Sequence, residues 1–492
     1  MNRRRNLSKS KYINGLQCHK LLWVSINDPT RMPPYSAATQ YVFDQGHLIG
    51  DLAHKLYPDG TNLTTENISE NLAETRSSMA LRRTLFEAGF SGYRLYCRVD
   101  ILSPSVDGSW DIVEVKSTND VKDEQLHDVA FQRHCCQLIG LKINRCHIMH
   151  LNRDYVKQGD IDPQQLFVIE DVTDSLGEFA DGLEQHITEM LAVIDSATCP
   201  EAAVGRHCND PYACLLQEEC WAHLPEHHVM TLYSGKKLGE DLMTRGILDI
   251  CDIPEDVALN SKQQIQKHCV ICGQPHIDRT EIKSFLKGLK YPLYFMDFET
   301  FATGIPIFDG TSPYQNIPFQ FSLHVVTKPG TMVEHYDYLA RGKDDPRPGF
   351  LADLKKSIGP KGSILVYYEA FEKTRLKELA KAFPEYQEWI DGVLDRIVDL
   401  NVPFKDFSYY HPQQLGSASL KPVLPALSNL TYEGMEIGEG TMASLKYMES
   451  AFGNISDEEC QKIRSDLLTY CGQDTGGMIE ILKKLQELTL DF

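Results

Sequence analysis

The sequence predicts an α/β protein of about three folding units. Strand-like and helix-like stretches follow one another along 492 residues, and roughly 150 residues per domain gives about three domains. Apolar residues make up 42% and charged residues 24%, close to an average globular chain, which excludes a disordered, collagenous or membrane-embedded protein. The 49 Lys and Arg against 69 Asp and Glu leave a net charge of −20. A protein that held nucleic acid by bulk charge alone would be basic. A polyanion partner must therefore meet a local basic path or bound metal ions.

The elements support that class in order. Arg3, Arg4 and Arg5 are followed by Asn6-Leu7-Ser8-Lys9-Ser10-Lys11, which lacks the apolar run of a signal peptide. No stretch of about 18 apolar residues occurs, so no spanning helix is expected and the chain reads as cytoplasmic. There the 14 cysteines are more often metal ligands or redox groups than disulfides. Residues 93–100 and 110–116 alternate and are β-rich, with turn chemistry over Ser103–Ser109 between them, which predicts a hairpin. Residues 123–140 predict a helix closed by Gly140, and 176–196 a further helix leading into a Cys-rich segment at 199–221. From about 225 to 285 the composition turns polar and helical, with short helices around Gly246. An apolar strand starts at Tyr291, another spans 362–368, and a long amphipathic helix spans roughly 456–488. The expected domains are 1–225, a helical connector at 226–287, and 288–492.

The first constellation lies in the hairpin. Alternate residues of a strand share a face, so Glu114 and Lys116 point one way while Asp100 sits at the end of the partner strand. This suits a divalent metal held by Asp100 and Glu114, beside a water that Lys116 positions or helps deprotonate. The same pattern also describes an exposed salt bridge. Gln132, on the helix that follows, is placed to meet a phosphate or a metal-bound water, and either His54 or His47 is placed to complete the metal shell.

The second constellation is cysteine. Cys208, Cys214 and Cys220 stand at C-x5-C-x5-C, and Cys18 lies far upstream. Four thiolates suit a 4Fe–4S cluster or a tetrahedral zinc. The spacing is wider than the tight knuckles of zinc ribbons, which favours the cluster, as a clasp from the N-terminus to the end of the domain. Taken in order over roughly 7–222, Cys18, Asp100, Glu114-Val115-Lys116, Gln132 and the cysteine triad resemble the RecB-like PD-(D/E)xK nucleases that carry an iron–sulfur cluster, of the CRISPR-associated and AddB types. The resemblance implies metal-dependent DNA cleavage, with Asp100 and Glu114 as metal ligands, Lys116 as the catalytic lysine, and Cys18, Cys208, Cys214 and Cys220 as cluster ligands. Two positions depart from that pattern. A G-x3-H motif fits Gly50 and His54 but not Gly46, and Q-x3-Y reads Gln132 to Cys136.

The third constellation begins with Asp297 and Glu299 on one face of an apolar strand, an arrangement that is costly unless a cation compensates the charge. Tyr470 and Asp474 stand at i and i+4 of the last helix and share a face, so Asp474 can hold a metal while Tyr470 orients the attacking water. Glu372, where the 362–368 strand runs into a helix, offers a fourth carboxylate, with Asp399 as its rival. The set reads as a two-metal phosphodiesterase site for Mg²⁺ or Mn²⁺, with cations about 4 Å apart. D-x-E, a carboxylate after a strand, and Y-x3-D, over roughly 288–490, resemble the DEDD exonucleases of the RNase-H-like proofreading fold. The resemblance implies a three-layer fold and 3′→5′ removal of nucleotides. Where that family's middle motif reads N-x-x-F-D, this chain has Glu369-Ala370-Phe371-Glu372.

Weaker signals are half a zinc site at Cys269, Cys272, His268 and His276, and aromatics at Tyr314, Tyr409 and Tyr410 that can stack on bases. Lys9, Lys11, Arg82, Arg83, Arg375 and Lys377 are candidates for a phosphate path. The expectation is a two-headed nuclease acting on DNA that is single-stranded or has a free end. The alternatives are an N-terminal unit that only clamps DNA, or RNA as the substrate.

Overall fold

The computed structural model describes residues 5–490, so Arg3 and Arg4 of the basic run lie outside the described residues. The protein is mixed α/β and forms two compact units, Met1–His223 with Thr303–Gln315, and Leu224–Ala302 with Asn316–Phe492. The segment 226–287, expected as a separate connector, lies inside the second unit. The segment Thr303–Gln315, expected in the last domain, belongs to the first. Among the described residues no helix is long and apolar enough to cross a membrane.

In the first unit β1 (Leu7–Ser8), α1 (Lys9–Gln17), α2 (His19–Asn27), α3 (Ala37–His54), β2 (Thr61–Asn62) and α4 (Ile68–Ser78) come first. An antiparallel meander follows, made of β3 (Leu85–Gly92), β4 (Leu95–Pro104) and β5 (Trp110–Val115). Next, α5 (Asp123–Leu138) crosses to β6 (Ile143–Leu151), which lies parallel to β5. The unit continues through α6 (Pro163–Leu166), β7 (Phe167–Asp171), α7 (Leu176–Ala180), α8 (Leu183–Asp195) and α9 (Gln217–Trp221). The sheet runs β2-β3-β4-β5-β6-β7, with β1 parallel to the start of β4.

The side chains divide between two cores, by strand periodicity in β5 and β6 and with a change of face between Val99 and Ile101 in β4. Cys97, Val99, Ile112 and Ile148 pack with Tyr12, Val129, Phe131 and Met190 of the helices on one face. Ile101, Val113, Met149 and Leu151 pack with Ile49, Leu52 and Ala53 of α3 on the other. Three expectations are corrected here. The strand expected from residue 93 starts at Leu95, because Tyr93 (φ 52°) and Arg94 (φ 68°) form a left-handed two-residue turn from β3, the handedness that matches strand twist. The helix expected over 176–196 breaks at Gly182, φ 80°. The helix expected over 123–140 ends at Leu138.

The second unit opens with α10 (Lys236–Thr244), α11 (Ser261–Cys272), β8 (His276–Ile277) and α12 (Arg279–Lys287). Its sheet is built from β9 (Leu293–Phe301), β10 (Ile317–Val326), β11 (Glu334–Leu339), then α13 (Pro346–Ser357), β12 (Ser363–Val366), α14 (Glu369–Ala382), α15 (Gln387–Leu394) and β13 (Ile397–Asp399). After these come α16 (Val402–Lys405), β14 (Tyr409–Tyr410), α17 (Leu420–Leu427), α18 (Gly440–Phe452) and α19 (Asp457–Leu488).

The strand order is β11-β10-β9-β12-β13, antiparallel across the first three and parallel from β9 onward. Tyr294, Met296 and Phe298 enter one core with α13, α14 and α15. Leu293 and Phe295 enter the opposite core with α12, α17 and α19. The same parity sends Asp297 and Glu299 towards the α19 face. The strand expected from Tyr291 begins at Leu293. The strand expected over 362–368 is limited to Ser363–Val366, and Tyr368 takes φ 78° where α14 starts.

Candidate active sites and metal centres

In the second unit, Asp297 and Glu299 of β9, Glu372 of α14 and Asp474 of α19 lie near enough to act on one another's charge, although among the described residues neither Glu372 nor Asp474 joins a group of three ligand atoms within 4.8 Å. Asp297, Glu299 and the Cys471 sulfur offer ligand atoms that all lie within 4.8 Å of one another. The Cys471 thiol donates to Asp297 Oδ2 at 3.5 Å, and the Tyr432 hydroxyl donates to Asp474 Oδ1. Glu299, Glu372 and Asp474 are buried. Glu372 Oε2 has no hydrogen-bond partner among the described residues. Of the two rivals for the middle position, Asp399 also acts on Glu372, but both its oxygens have protein donors. It accepts from the Tyr368 and Asn401 amides at 2.9 and 3.0 Å and from Lys405 at 3.3 Å.

The electrostatics follow from crowding like charges in a buried place. Burial first, and then Asp474, push the Asp297 carboxyl well up. Burial with Asp297 and Asp474 does the same to Glu299, and burial with Asp297 to Glu372. Burial raises Asp474 to about 7, against the Tyr432 hydrogen bond and the Lys421 charge. Lys421 lies 5.9 and 6.0 Å from the Tyr432 and Tyr470 ring centres. Burial and Asp474 also raise the Tyr470 hydroxyl.

Four carboxylates, one with an unpartnered oxygen, outnumber the Lys421 and Arg375 cations that act on them, a donor set that fits a hard divalent cation bound through oxygen. The soft Cys471 sulfur suits such an ion poorly, and its part is the hydrogen bond to Asp297. The sequence reading missed Cys471, Tyr432 and Lys421. Cys471 was findable, since it stands three residues before Asp474 on one helix. The other two arrive from separate segments.

In the first unit, β4, β5 and α5 gather Asp100, Glu114, Lys116 and Gln132 as expected, together with two residues that were not, Lys9 and Asp128. Lys116 Nζ donates to Glu114 Oε1 at 2.8 Å and to Asp128 Oδ2 at 2.6 Å. Gln132 Nε2 donates to Glu114 Oε2 at 2.7 Å and Asp128 Oδ1 at 3.2 Å, while its buried Oε1 has no partner among the described residues. Asp100 Oδ2 accepts the Val115 amide at 2.9 Å.

Burial and Glu114 raise Asp100 to about 7 against Lys9 and Lys116. Burial works upward on Glu114 too, but the Lys116 and Lys9 ammoniums hold it well below the usual carboxylate range. Three carboxylates and an orphaned amide oxygen are a donor set of the kind a divalent cation takes, but among the described residues no three of the acids offer oxygens within 4.8 Å of one another, and a cation there would compete with the two lysines.

The His54 ring stacks on Phe86 at 3.9 Å. His47 instead acts on Glu87, a further acid influenced by Lys9 and Glu114, which sits in β3 at φ 58°.

The four cysteines meet. Cys18 caps the end of α1, Cys208 and Cys214 sit in the loop before α9, and Cys220 lies on α9. All four line one small cavity with Gln17, Lys20 and His207. Gln17 Nε2 ties α1 to that loop by donating to the His207 and Tyr212 carbonyls at 2.9 and 2.7 Å. Burial raises the Cys214 thiol, and the other three thiols add to it. Among the described residues no three of these sulfurs lie within 4.8 Å of one another. A tetrahedral zinc with Zn–S of about 2.3 Å would hold its sulfurs roughly 3.8 Å apart.

Of the cations named for a phosphate path, Arg82 donates to the Ser105, Gly108 and Ser109 carbonyls, Lys11 to the Ser25 carbonyl, and Arg375 pairs with Glu378 at 2.8 Å, while Arg83 and Lys377 are exposed. Cys269 is buried beside Phe407 and Tyr410, and Cys272 is exposed.

Residues 294–419 match the family described as a domain of unknown function (DUF2779). That stretch includes Asp297, Glu299, Glu372 and Asp399 and stops before Tyr432, Tyr470 and Asp474. Uncharacterized proteins of Ureaplasma parvum serovar 3, Mycoplasma pneumoniae and Mycoplasma genitalium are 27%, 25% and 26% identical over 51%, 41% and 42% of this chain. Those matches cover 40%, 33% and 34% of the relatives' own lengths, so the chain spans two fifths of them or less. No solved structure matches.

Proposed function

We propose that this protein is a metal-dependent nuclease hydrolysing DNA phosphodiester bonds, with an RNase-H-like exonuclease unit and a PD-(D/E)xK-type unit clasped by a 4Fe–4S cluster. The observation that carries the reading is the crowding of four carboxylates, Asp297, Glu299, Glu372 and Asp474, with an unpartnered oxygen on Glu372 and with Lys421 and Arg375 as the cations acting on them. The β11-β10-β9-β12-β13 order with helices on both faces supports the exonuclease fold. The β3-β4-β5 meander followed by α5 and a parallel β6 supports the PD-(D/E)xK fold.

Asp297, Glu299, Glu372 and Asp474 would hold Mg²⁺ or Mn²⁺, which supply an activated water and neutralise the attacked phosphate. The chain's own groups do the rest. Tyr470 keeps its proton at neutral pH and orients the attacking water. Tyr432 fixes the Asp474 carboxylate, and Cys471 fixes that of Asp297. Fourteen free cysteines suit a reducing cytoplasm. There the substrate would be single-stranded or free-ended DNA, degraded 3′→5′ in repair, recombination or defence against foreign DNA.

A second reading, that the first unit only clamps DNA, is favoured by one observation. Both oxygens of Glu114 are already taken by protein donors. The test is a time course on end-labelled single- and double-stranded DNA and matched RNA with Mg²⁺ or Mn²⁺, comparing wild type, Asp297→Ala and Lys116→Ala. The two-headed reading expects Asp297→Ala to lose the stepwise shortening and keep the cleavage that Lys116→Ala removes. Intact cleavage in Lys116→Ala would make the first unit a clamp, and preferential loss of RNA would make the protein an RNA exonuclease. No DNA cleavage by wild type would end the proposal.

A further inference from the structure

One of the shortest contacts on Glu114 comes from a residue outside the nuclease pattern. Lys9 Nζ lies 2.7 Å from Glu114 Oε1, 3.5 Å from Asp100 Oδ1 and 3.9 Å from Asp128 Oδ2. Lys116 binds the same Glu114 oxygen at 2.8 Å, and Gln132 takes the other at 2.7 Å. The Glu114 carboxylate is thus engaged by three donors. Lys9 also bridges the two acids, Asp100 and Glu114, that the proposed function assigns to a divalent ion. An ammonium that bridges both acids competes with a dication for the same oxygens, because the two repel at contact distance; Lys116 touches only Glu114 of that pair and takes Asp128 as its second acid.

The backbone around Lys9 is held at both ends. Leu7 and Ser8 pair with Leu95 and Tyr96 of β4, the Ser8 hydroxyl caps the Lys11 amide at 3.4 Å, and Gln17 anchors the far end of α1 to the cysteine loop. What can move is the side chain, which is one quarter exposed and so has a route to water. In the second unit no lysine hydrogen-bonds Asp297, Glu299, Glu372 or Asp474 among the described residues, and Lys421 acts on that centre from beside the two tyrosine rings.

We infer that Lys9 is a built-in counter-cation that competes with the divalent ion for Glu114 and Asp100, so that the first unit loads its ion at a higher concentration than the second. This rests on the proposed metal centres. It adds a graded response, in which scarce divalent ion arms the second unit alone and abundant ion arms both.

Equilibrium binding of Mn²⁺ to the full chain tests it without reference to cleavage. Two classes of site are expected. Asp474→Asn should remove the tighter class and Glu114→Gln the weaker one. Lys9→Met should tighten the weaker class about tenfold or more, the ratio that one charge-assisted hydrogen bond commands. Lys9→Arg, which keeps the charge, should leave that class weak. Lys9→Gln provides a second neutral variant should the methionine disturb folding. Unchanged or weaker Mn²⁺ binding in both neutral variants would overturn the inference. Weak-class binding that survives Glu114→Gln would instead remove the metal centre itself from the first unit.

Discussion

Replacing Asp474 by Asn asks whether the second unit holds an uncompensated charge when metal is absent. Asp474 is 7% exposed and ionises at about 7 instead of the ordinary 3.8, chiefly through burial. At about 1.4 kcal/mol per pH unit, keeping it ionised costs the metal-free fold about 4 kcal/mol. Below about pH 4 the carboxyl is protonated whether the chain is folded or not, and it contributes no pH dependence. Between about pH 4 and 7 the unfolded chain releases the proton while the folded one keeps it. Stability therefore falls as pH rises, and above about 7 the whole cost stands.

Asparagine keeps an oxygen for the Tyr432 hydroxyl and removes the charge. Urea denaturation of chelator-treated protein should give equal midpoints for wild type and Asp474→Asn near about pH 4. Near about pH 8 the variant should be the more stable, by up to about 4 kcal/mol. Saturating Mn²⁺ should reverse the order, because the ion stabilises the ionised wild type by mass action. A variant no more stable than wild type at the higher pH, without metal, would refute the reasoning.

Two other outcomes follow from the structure. Anaerobically prepared protein should be brown with broad visible absorption, and Cys214→Ala or Cys220→Ala should lose it; one zinc and no iron would contradict the cluster. Gly362→Ala should lower the unfolding free energy from urea denaturation by more than about 1 kcal/mol, since Gly362 has φ 99° and an added Cβ would lie 2.1 Å from the Pro292 carbonyl oxygen; an unchanged value would contradict that packing.

What the sequence made legible was whatever repeats locally. The parity of β9 put Asp297 and Glu299 on one face, and the helical spacing of Tyr470 and Asp474 put that pair on one side of α19. The Glu114–Lys116 pair likewise met as the strand period requires, at 2.8 Å. What stayed hidden depends on distant segments. Lys9 reaches Glu114 across 105 residues because β1 pairs with β4, and no local pattern announces that pairing. Asp128 was within reach, since it precedes Gln132 by one helical turn. The start of β4 was misjudged because Tyr93 and Arg94 continue the alternation of a strand yet adopt left-handed turn geometry without a glycine between them. The two units divide the chain differently from the expected domains because Thr303–Gln315 joins the first unit, where Tyr314 donates to the Ser117 carbonyl and Lys157 pairs with Asp309 at 2.6 Å.

The most direct measurement is anomalous diffraction from crystals of the full chain grown with Mn²⁺. Manganese should appear within about 2.1 Å of carboxylate oxygens of Asp297 and at least one of Glu299, Glu372 and Asp474. Manganese bound elsewhere, with none touching Asp297, would contradict the claim that these acids are gathered to hold an ion.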